Sequence, residues 1–248
     1  RVMVHADGYY NVRALLAEQF APRGIEVVTV PTPQFADADF TGAKLVMIET
    51  PTNPGLEVCD IAAVAAKAKS AGAILVADNT TANPLCQRPL DLGADISVMA
   101  GTKAMAGHSD ILAGHVATRR PELMAPIKTW RRLGGAIISP FDAWLLHRGL
   151  ETMELRVSRA NANALAVATA LAGDARVTGL RYPGLISDPA HAIARRQMTG
   201  YGPIVSFCLE SREAAEGFIA RHPLLAAATS FGGIHSAAEC RVRWGDAV

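Results

Sequence analysis

Apolar runs alternate with helical patterns along the first part of the chain. Residues 1–5 resemble the middle of a strand, and five further runs predict strands, at residues 25–30, 44–49, 74–77, 96–99 and 113–118. Most of these runs are continuously apolar, with no regular alternation of apolar and polar residues. Continuous apolar strands separated by helices are typical of a mostly parallel sheet covered on both faces.

Two helices are predicted between these strands. One covers residues 14–20. The other is rich in alanine, begins after Asp60 and runs to about Ser70. Asp60 is well suited to cap this helix, because an aspartate carboxylate accepts a hydrogen bond from a free backbone N–H of the first turn.

The pattern changes near residue 140, where Pro140 begins a new helix. A long stretch without proline or glycine then predicts one continuous helix over residues 151–171. Strands at 177–181 and 204–209 and a helix at 212–220 follow. We therefore predict two domains, a large one over residues 1–145 and a smaller α+β domain with its connecting helix over 146–248.

The composition suits a large folded core and excludes some partners. The chain has 248 residues, of which 50% are hydrophobic and 19% charged, and its formal net charge is +1. No block of like charge occurs, so nucleic acid and anionic membranes are not expected as main partners. No apolar run reaches membrane-spanning length.

The cysteines indicate a reducing compartment. Cys59, Cys86, Cys208 and Cys240 are scattered without paired spacing, which is typical of a cytoplasmic protein. HExxH, P-loop and GxSxG motifs are absent, and no GxGxxG follows the first strand, so neither a metal site nor a dinucleotide site is expected. We interpret His108 as a structural hydrogen-bonding residue.

Polar groups follow three of the predicted strands. They are Glu49-Thr-Pro-Thr-Asn53, Asp78-Asn-Thr80 and Gly101-Thr-Lys103. In open α/β sheets, ligands bind just beyond the carboxyl ends of the strands. Three polar groups converging on one edge therefore predict a ligand site there.

The chemistry of Asp78 and Lys103 leaves two interpretations open. Asp78 is either a helix cap or loop residue, or the partner of a protonated pyridine nitrogen. Lys103 is either a solvated loop residue or a desolvated amine suited to carbonyl chemistry. Thr102 beside it is either an ordinary loop residue or a phosphate ligand.

Several motifs together resemble one family. These are Glu49-Thr-Pro-Thr-Asn-Pro54, Asp78-Asn-Thr80, Gly101-Thr-Lys103, Gly107-His-Ser-Asp110, Ser139-Pro-Phe-Asp-Ala-Trp144, Arg148-Gly-Leu-Glu-Thr152, Tyr182-Pro-Gly184 and Thr229-Ser-Phe-Gly-Gly233. Their order and spacing resemble the pyridoxal-phosphate (PLP) enzymes of Cys/Met metabolism, which include cystathionine γ-lyase, cystathionine γ-synthase, cystathionine β-lyase and methionine γ-lyase. The resemblance covers nearly the whole chain.

The resemblance implies the α/β fold of the PLP-dependent transferases (aspartate-aminotransferase-like, fold type I) and pyridoxal 5'-phosphate as the cofactor. It further implies that Lys103 carries the cofactor as a Schiff base and later moves protons. Asp78 would pair with the pyridinium nitrogen, Thr80 would lie against the ring, and Thr102 would help to hold the phosphate.

The resemblance also implies roles at the substrate. Asn53 would lie near the cofactor oxygen and the substrate carboxylate, and Ser230 near that carboxylate. Tyr9 would stack on the ring and assist the leaving group, with Tyr10 as the competing candidate. The family further implies a homotetramer built from two dimers.

The sequence departs from the family pattern at several places. Ala100 stands where the family usually has a serine, and Lys103-Ala-Met-Ala106 lacks the usual flanking tyrosine and asparagine. The Gly-rich phosphate turn, the Tyr/Arg pair of the neighbouring subunit's site and the C-terminal carboxylate-binding arginine are not found. We therefore expect further segments at both ends of the chain.

The activity implied most directly is γ-elimination from cystathionine. Cystathionine γ-synthase and methionine γ-lyase activities are the alternatives within the family. Outside it, a PLP-fold protein that binds without turnover and an aminotransferase of the same fold stay open.

Overall fold

The main sheet contains six strands. The computed structural model describes residues 1–244, so the last four residues of the predicted second domain lie outside the described residues. The strands are β1 (Val2–His5), β2 (Val27–Val30), β3 (Leu45–Glu49), β4 (Ile74–Asp78), β5 (Ile96–Ala100) and β6 (Gly114–Ala117). Their order is β2–β1–β3–β4–β5–β6, and only β6 pairs antiparallel to its neighbour. The predicted mostly parallel α/β sheet is confirmed.

Eight α-helices surround and follow this sheet in the described part of the chain. They are α1 (Tyr10–Leu15), α2 (Ile61–Ser70), α3 (Asn83–Cys86), α4 (Pro121–Gly134), α5 (Pro140–Leu150), α6 (Met153–Leu171), α7 (His191–Gln197) and α8 (Arg212–Arg221). Four short strands pair apart from the main sheet. They are β7 (Thr178–Arg181) with β8 (Ser206–Cys208), antiparallel, and β9 (Ala226–Ala227) with β10 (Ala237–Ala238), parallel.

Two apolar cores support the sheet. One packs the buried residues of α2 against strands β1, β3 and β4, with Phe35 and Phe40 fully buried at its side. The other joins β5 and the segment after it to α6 and α7, through residues such as Met99, Met153 and Ala194. Burial of these side chains, at about 25 cal/mol for each Å² of apolar surface, is the main stabilising contribution.

The structure confirms the predicted cap at Asp60 and shifts the predicted helix at residues 14–20. The Asp60 cap is confirmed, since its Oδ1 accepts a hydrogen bond from the Ala63 N–H at 3.0 Å. The first helix begins earlier, at Tyr10, and residues 16–20 form a π-helical turn. The residue before this helix makes a tertiary contact, since the Tyr9 N–H donates a hydrogen bond to Glu49 Oε2 at 2.6 Å.

The predicted division near residue 145 stays a prediction. The second core contains residues from both sides of it, for example Met105 and Val157. A third, smaller core packs Ala164 and Ala168 of α6 against Tyr182. Helix α6 therefore contributes to both the central core and the C-terminal half.

None of the helices within residues 1–244 is long and apolar enough to span a membrane.

Gly149 gives the first testable prediction. A Cβ atom at this position of α5 would lie 2.4 Å from Ala106 O and 2.7 Å from Met105 O. We expect Gly149→Ala to lower the free energy of unfolding by about 1–3 kcal/mol, the usual cost of forcing an extra methyl group into a packed site. Urea unfolding measures this change.

Gly134 supplies the matched control at the end of another helix. Its Cβ would lie 3.5 Å from the nearest atom of Trp130, an ordinary contact. Gly134→Ala should leave stability unchanged or slightly higher. Equal unfolding curves for both variants would contradict the close approach at Gly149.

Candidate active site

The parallel register places three strand ends side by side. Glu49 and Asp78 are direct Cα partners at the ends of β3 and β4. The Thr80 hydroxyl donates to Asp78 Oδ1 at 2.6 Å and accepts from the Ala100 N–H at 2.9 Å, where β5 ends. Thr80 therefore joins the ends of β4 and β5.

Asp78 presents a mostly buried carboxylate at this edge. Both of its hydrogen bonds within residues 1–244, from the Thr80 N–H at 2.9 Å and the Thr80 hydroxyl, fall on Oδ1. Burial raises the pKa of Asp78, and the Thr80 hydrogen bonds oppose this rise. A buried carboxylate is stabilised by a cationic partner, and Oδ2 is free to accept one.

Lys103 lies just beyond the end of β5 and contacts two residues of the C-terminal half of the chain. Its Nζ donates to Ser230 Oγ at 2.9 Å and lies 4.8 Å from the centre of the Phe231 ring. Within the described chain it has no carboxylate partner. Burial lowers the pKa of Lys103, which favours the neutral, nucleophilic amine.

Arg156 of α6 binds the segment that follows Lys103. Its Nη1 donates to Ala104 O at 2.9 Å, its Nη2 to Gly149 O at 2.5 Å, and its Nε to Thr152 Oγ1 at 3.0 Å. These bonds connect the lysine segment to α5 and α6. Sequence reasoning missed Arg156, because an arginine on a helix gives no signal of the carbonyl groups it will meet.

Gly232 lets the Ser230 segment approach the lysine closely. Its φ is +85°, and a Cβ atom there would lie 2.8 Å from Ala104 N and 2.9 Å from the carbonyl carbon of Lys103. A side chain would therefore clash with backbone atoms and strain the residue itself. The glycine after Phe231 thus permits the contact between Ser230 and Lys103.

The Thr102 hydroxyl forms its hydrogen bonds with the backbone of Ala113. Its Oγ1 accepts from the Ala113 N–H at 2.9 Å, and its contact with Ala113 O is long, at 3.4 Å. The hydroxyl hydrogen is therefore weakly engaged. The predicted role of Thr102 at a phosphate stays a prediction.

Glu49 connects the segments that carry Tyr9 and Asn53. Its Oε2 accepts from the Tyr9 N–H at 2.6 Å and its Oε1 from the Asn53 N–H at 2.9 Å. The Tyr9 ring is 47% exposed and that of Tyr10 is 55% exposed, so both rings are accessible. The choice between these two tyrosines stays a prediction.

Glu49 is buried beside a second carboxylate and makes no ion pair with a lysine or arginine among the described residues. Burial, and after it the Asp78 carboxylate, raise the pKa of Glu49 to about 8. His5 Nε2 lies 3.7 Å from Glu49 Oε2, and burial lowers the pKa of His5 to about 4. Both side chains are therefore neutral at pH 7. Sequence reasoning did not single out His5, and it named Glu49 only as part of the polar group at the end of β3, although Glu49 ends a buried strand just as Asp78 does.

Together these groups can bind a ring that bears a basic nitrogen and a carbonyl. Asp78 Oδ2 would accept from the protonated nitrogen, and Lys103 Nζ is an amine without a competing ion pair. Asp78 and Lys103 extend from neighbouring strands of the same edge. The donor set therefore fits pyridoxal phosphate.

Other surface features offer less chemistry. A hollow of about 580 Å³ lies at the opposite, amino end of the strands, where Asp95 and Arg120 bind each other at 2.6 Å. Within residues 1–244, no group of three or more His, Cys, Asp or Glu side chains is placed to hold a metal ion. His108 Nδ1 lies 2.7 Å from Ala106 O, a local contact.

Comparison with known proteins agrees with this geometry. The family model described as Cys/Met metabolism PLP-dependent enzyme matches residues 1–244. The chain belongs to this family. As a member of the Cys/Met-metabolism PLP enzymes, it has pyridoxal 5'-phosphate as its cofactor, in agreement with the groups around Asp78 and Lys103.

Its relatives include lyases and synthases of sulfur amino acids. A Streptomyces coelicolor protein, provisionally named a cystathionine γ-lyase, is 50% identical over 244 residues, which are 98% of this chain and 62% of the relative. The cystathionine γ-synthase of Mycobacterium leprae is 38% identical over 245 residues, covering 96% of this chain and 62% of that protein.

A solved structure shares the fold closely. The crystal structure of cystathionine γ-lyase from Lactobacillus plantarum, complexed with L-serine, superposes with a TM-score of 0.93 at 33% identity. The match covers 98% of this chain and 64% of that one. The chain thus spans less than two thirds of the length of these relatives, and the predicted PLP-transferase fold is confirmed.

The pKa of Glu49 predicts a pH dependence of stability. The carboxyl releases its proton near pH 4.5 when unfolded and near pH 8 when folded, so the unfolded state binds fewer protons between these values. The free energy of unfolding therefore falls as the pH rises from about 5 to about 8. Urea unfolding of the cofactor-free protein over this range measures it.

Glu49→Gln should reduce this fall. Between about pH 5 and about pH 8, we expect the free energy of unfolding of the wild type to fall by at least about 1.4 kcal/mol more than that of the variant. This is the free energy that corresponds to a pKa shift of one unit. His5 acts in the opposite direction between pH 6.5 and about 4, where stability is lost as the pH falls. Parallel curves for the two proteins above pH 6.5 would show that Glu49 is not neutral in the folded state.

Proposed function

We propose that this protein catalyses PLP-dependent γ-elimination on a sulfur amino acid, most directly cystathionine. The reaction converts cystathionine and water to cysteine, 2-oxobutanoate and ammonia. The observation that carries the proposal is the convergence of Asp78 and Lys103 at one sheet edge in a chain of the Cys/Met-metabolism family. The cystathionine γ-lyase named among its relatives supports the choice of substrate.

The cofactor supplies an electron sink for negative charge at the α-carbon of the amino acid. The part of Asp78 is to hold the ring nitrogen's proton at Oδ2 and so to keep that sink effective. Thr80 fixes the other oxygen, Oδ1, through its N–H and its hydroxyl. Oδ2 is therefore available to accept the hydrogen bond from the ring nitrogen.

Lys103 holds the cofactor and moves protons at Nζ. Its lowered pKa supports the role of base for the α-proton of the substrate. Ser230 Oγ orients Nζ through their hydrogen bond of 2.9 Å. We also assign Ser230 to the substrate carboxylate, and its contact with the lysine supports this role.

The remaining candidates orient the substrate and the cofactor. We assign Tyr9 to stacking on the ring and to proton transfer at the leaving sulfur through its hydroxyl. Asn53 binds the cofactor oxygen and the substrate carboxylate. Thr102 offers its weakly engaged hydroxyl hydrogen to the phosphate.

Two related activities use the same residues. The cystathionine γ-synthase among the relatives favours γ-replacement as the second candidate. Methionine γ-elimination is the third, since a solved protein from Micromonospora echinospora, 38% identical with a TM-score of 0.93, is described both as a methionine γ-lyase and as a cystathionine γ-lyase. The residues of the site are common to all three reactions.

The proposal includes a homotetramer built from two dimers, in the cytoplasm. Large apolar side chains are exposed on α4 and α5, among them Trp130 at 74% and Phe141 at 66%. Exposed apolar clusters of this kind mark interaction surfaces. The free state of all four cysteines supports a reducing compartment.

Lys103→Ala tests the cofactor lysine in the purified full-length protein. With added PLP, we expect the wild type to develop a visible absorption band and Lys103→Ala to lose or shift it, since the variant lacks the amine. Lys69→Ala removes an exposed lysine of α2 and should keep the band. A wild type that develops no band would refute the proposal and favour a protein that does not use the cofactor.

Substrate discrimination tests the reaction. Incubation with cystathionine should release cysteine, 2-oxobutanoate and ammonia, with a kcat/KM at least about tenfold above that for methionine, which corresponds to about 1.4 kcal/mol of transition-state binding. Release of methanethiol at the higher rate would instead select methionine γ-elimination. Cystathionine formation from cysteine and an activated homoserine would select γ-replacement.

The exposed apolar face predicts the effect of Phe141→Glu. We expect the variant to sediment as a smaller species than the wild type, because a carboxylate within a buried interface lacks compensation. Ile186→Glu, at a residue that is 88% exposed elsewhere in the chain, should sediment as the wild type. Identical profiles for all three proteins would place the interface on another surface.

A further inference from the structure

Glu49 occupies the centre of the candidate site without facing solvent. It is the last residue of β3, 3% exposed, and the direct neighbour of Asp78 across the sheet. Its carboxyl makes no salt bridge with an arginine or lysine among residues 1–244. Pairing with a lysine or arginine therefore does not explain why a carboxyl group occupies this buried position.

The carboxyl uses both oxygens on backbone groups of two different segments. One oxygen receives the Tyr9 N–H, 40 residues away in sequence, and the other receives the Asn53 N–H. Each of these two segments carries a residue that we propose contacts the cofactor, namely Tyr9 and Asn53. A single side chain thus fixes the distance between both segments and the end of β3.

The packing around the carboxyl leaves little freedom. A Cβ atom on Gly8 would lie 2.3 Å from His5 Nδ1 and 2.6 Å from Glu49 Oε2. His5 is fully buried and its Nδ1 accepts the Gly8 N–H at 3.1 Å. The segment before Tyr9 is therefore closely packed against the pair formed by His5 and Glu49.

We propose that Glu49 is a positioning residue, which sets Tyr9 and Asn53 against the cofactor through its two backbone hydrogen bonds. The inference rests on the proposed function, because it takes Tyr9 and Asn53 to contact the cofactor. Glu49 itself touches neither cofactor nor substrate.

A glutamine cannot replace this pair of acceptors. Its side-chain amide has one oxygen that accepts hydrogen bonds and one NH₂ group that only donates them, whereas a carboxyl group keeps acceptor capacity on both oxygens even when it is protonated. In Glu49→Gln, one of the two backbone N–H groups would face a donor and lose its partner. Glu49→Asp keeps both acceptor oxygens but is one methylene shorter.

Amide hydrogen exchange of the cofactor-free protein gives a readout that does not depend on activity. We expect faster exchange at the Tyr9 or Asn53 amide in Glu49→Gln, by about tenfold or more, a loss of about 1.4 kcal/mol of local protection. Asp95→Asn is the matched control, since the Asp95 carboxylate accepts the Leu75 N–H at 2.9 Å at the opposite end of the strands. It should leave the Tyr9 and Asn53 amides unchanged.

Kinetics of the PLP-loaded, full-length protein test whether this positioning serves the reaction. Glu49→Gln should reduce kcat/KM by roughly tenfold to a hundredfold, as a displacement of about 1 Å does. Tyr9→Phe should cost much less in the Glu49→Gln background than in the wild type, because the displaced ring already contributes little. A purely structural role would give additive effects.

Gly8→Ala keeps the inference testable if Glu49→Gln does not fold. The added methyl group would push the Tyr9 segment and the Glu49 carboxyl apart although the glutamate itself is unchanged, so the exchange and kinetic changes should match those of Glu49→Gln. Wild-type exchange and kinetics in a folded Glu49→Gln, or additive effects with Tyr9→Phe, would overturn the inference alone. A wild type that binds no PLP would overturn the proposed function and this inference together.

Discussion

The register between β3 and β4 is the constraint on which the site depends. Because side chains alternate between the two faces of a strand, a slip of one residue would turn every buried side chain of β3 to the wrong face. The fully buried Val46, Ile48, Leu75 and Ala77 fix the register that the pairing of Ile48 with Ala77 shows. The same register places Glu49 beside Asp78. The geometry of the site therefore follows from the apolar packing of the residues that precede Glu49 and Asp78 in their strands.

The C-terminal half of the described chain contributes chiefly by holding the lysine. Arg156 binds the carbonyl of Ala104, Gly149 allows α5 to approach the same segment, and Gly232 brings Ser230 to Nζ. None of these contacts is local in sequence. They restrict the largely buried turn after β5, and a restricted lysine would lose less entropy on binding a cofactor.

Sequence reasoning predicted the sheet and singled out Asp78 and Lys103, and it failed where contacts between distant parts of the chain determine the structure. Continuous apolar runs revealed five of the six main strands, and the first was recognised from residues 1–5. Helix α4 was given no bounds from the sequence, although its apolar residues recur at helical spacing, because Pro126 lies inside it and none of its residues is buried. Asp78 and Lys103 follow buried strands and stand out, whereas Arg156 and Glu49 acquire their partners only in the folded chain.

Glu49 and Asp78 show how two adjacent carboxyl groups acquire different roles. Two charged carboxylates side by side in an apolar site would repel each other, so one of them is better neutral. Glu49 has backbone N–H partners on both oxygens and no cation, and its pKa is raised to about 8. Asp78 keeps one oxygen free for an incoming positive charge. A protonated ring nitrogen bound at Oδ2 would hold the negative charge on Asp78, while the neutral Glu49 would keep its hydrogen bonds to the segments of Tyr9 and Asn53.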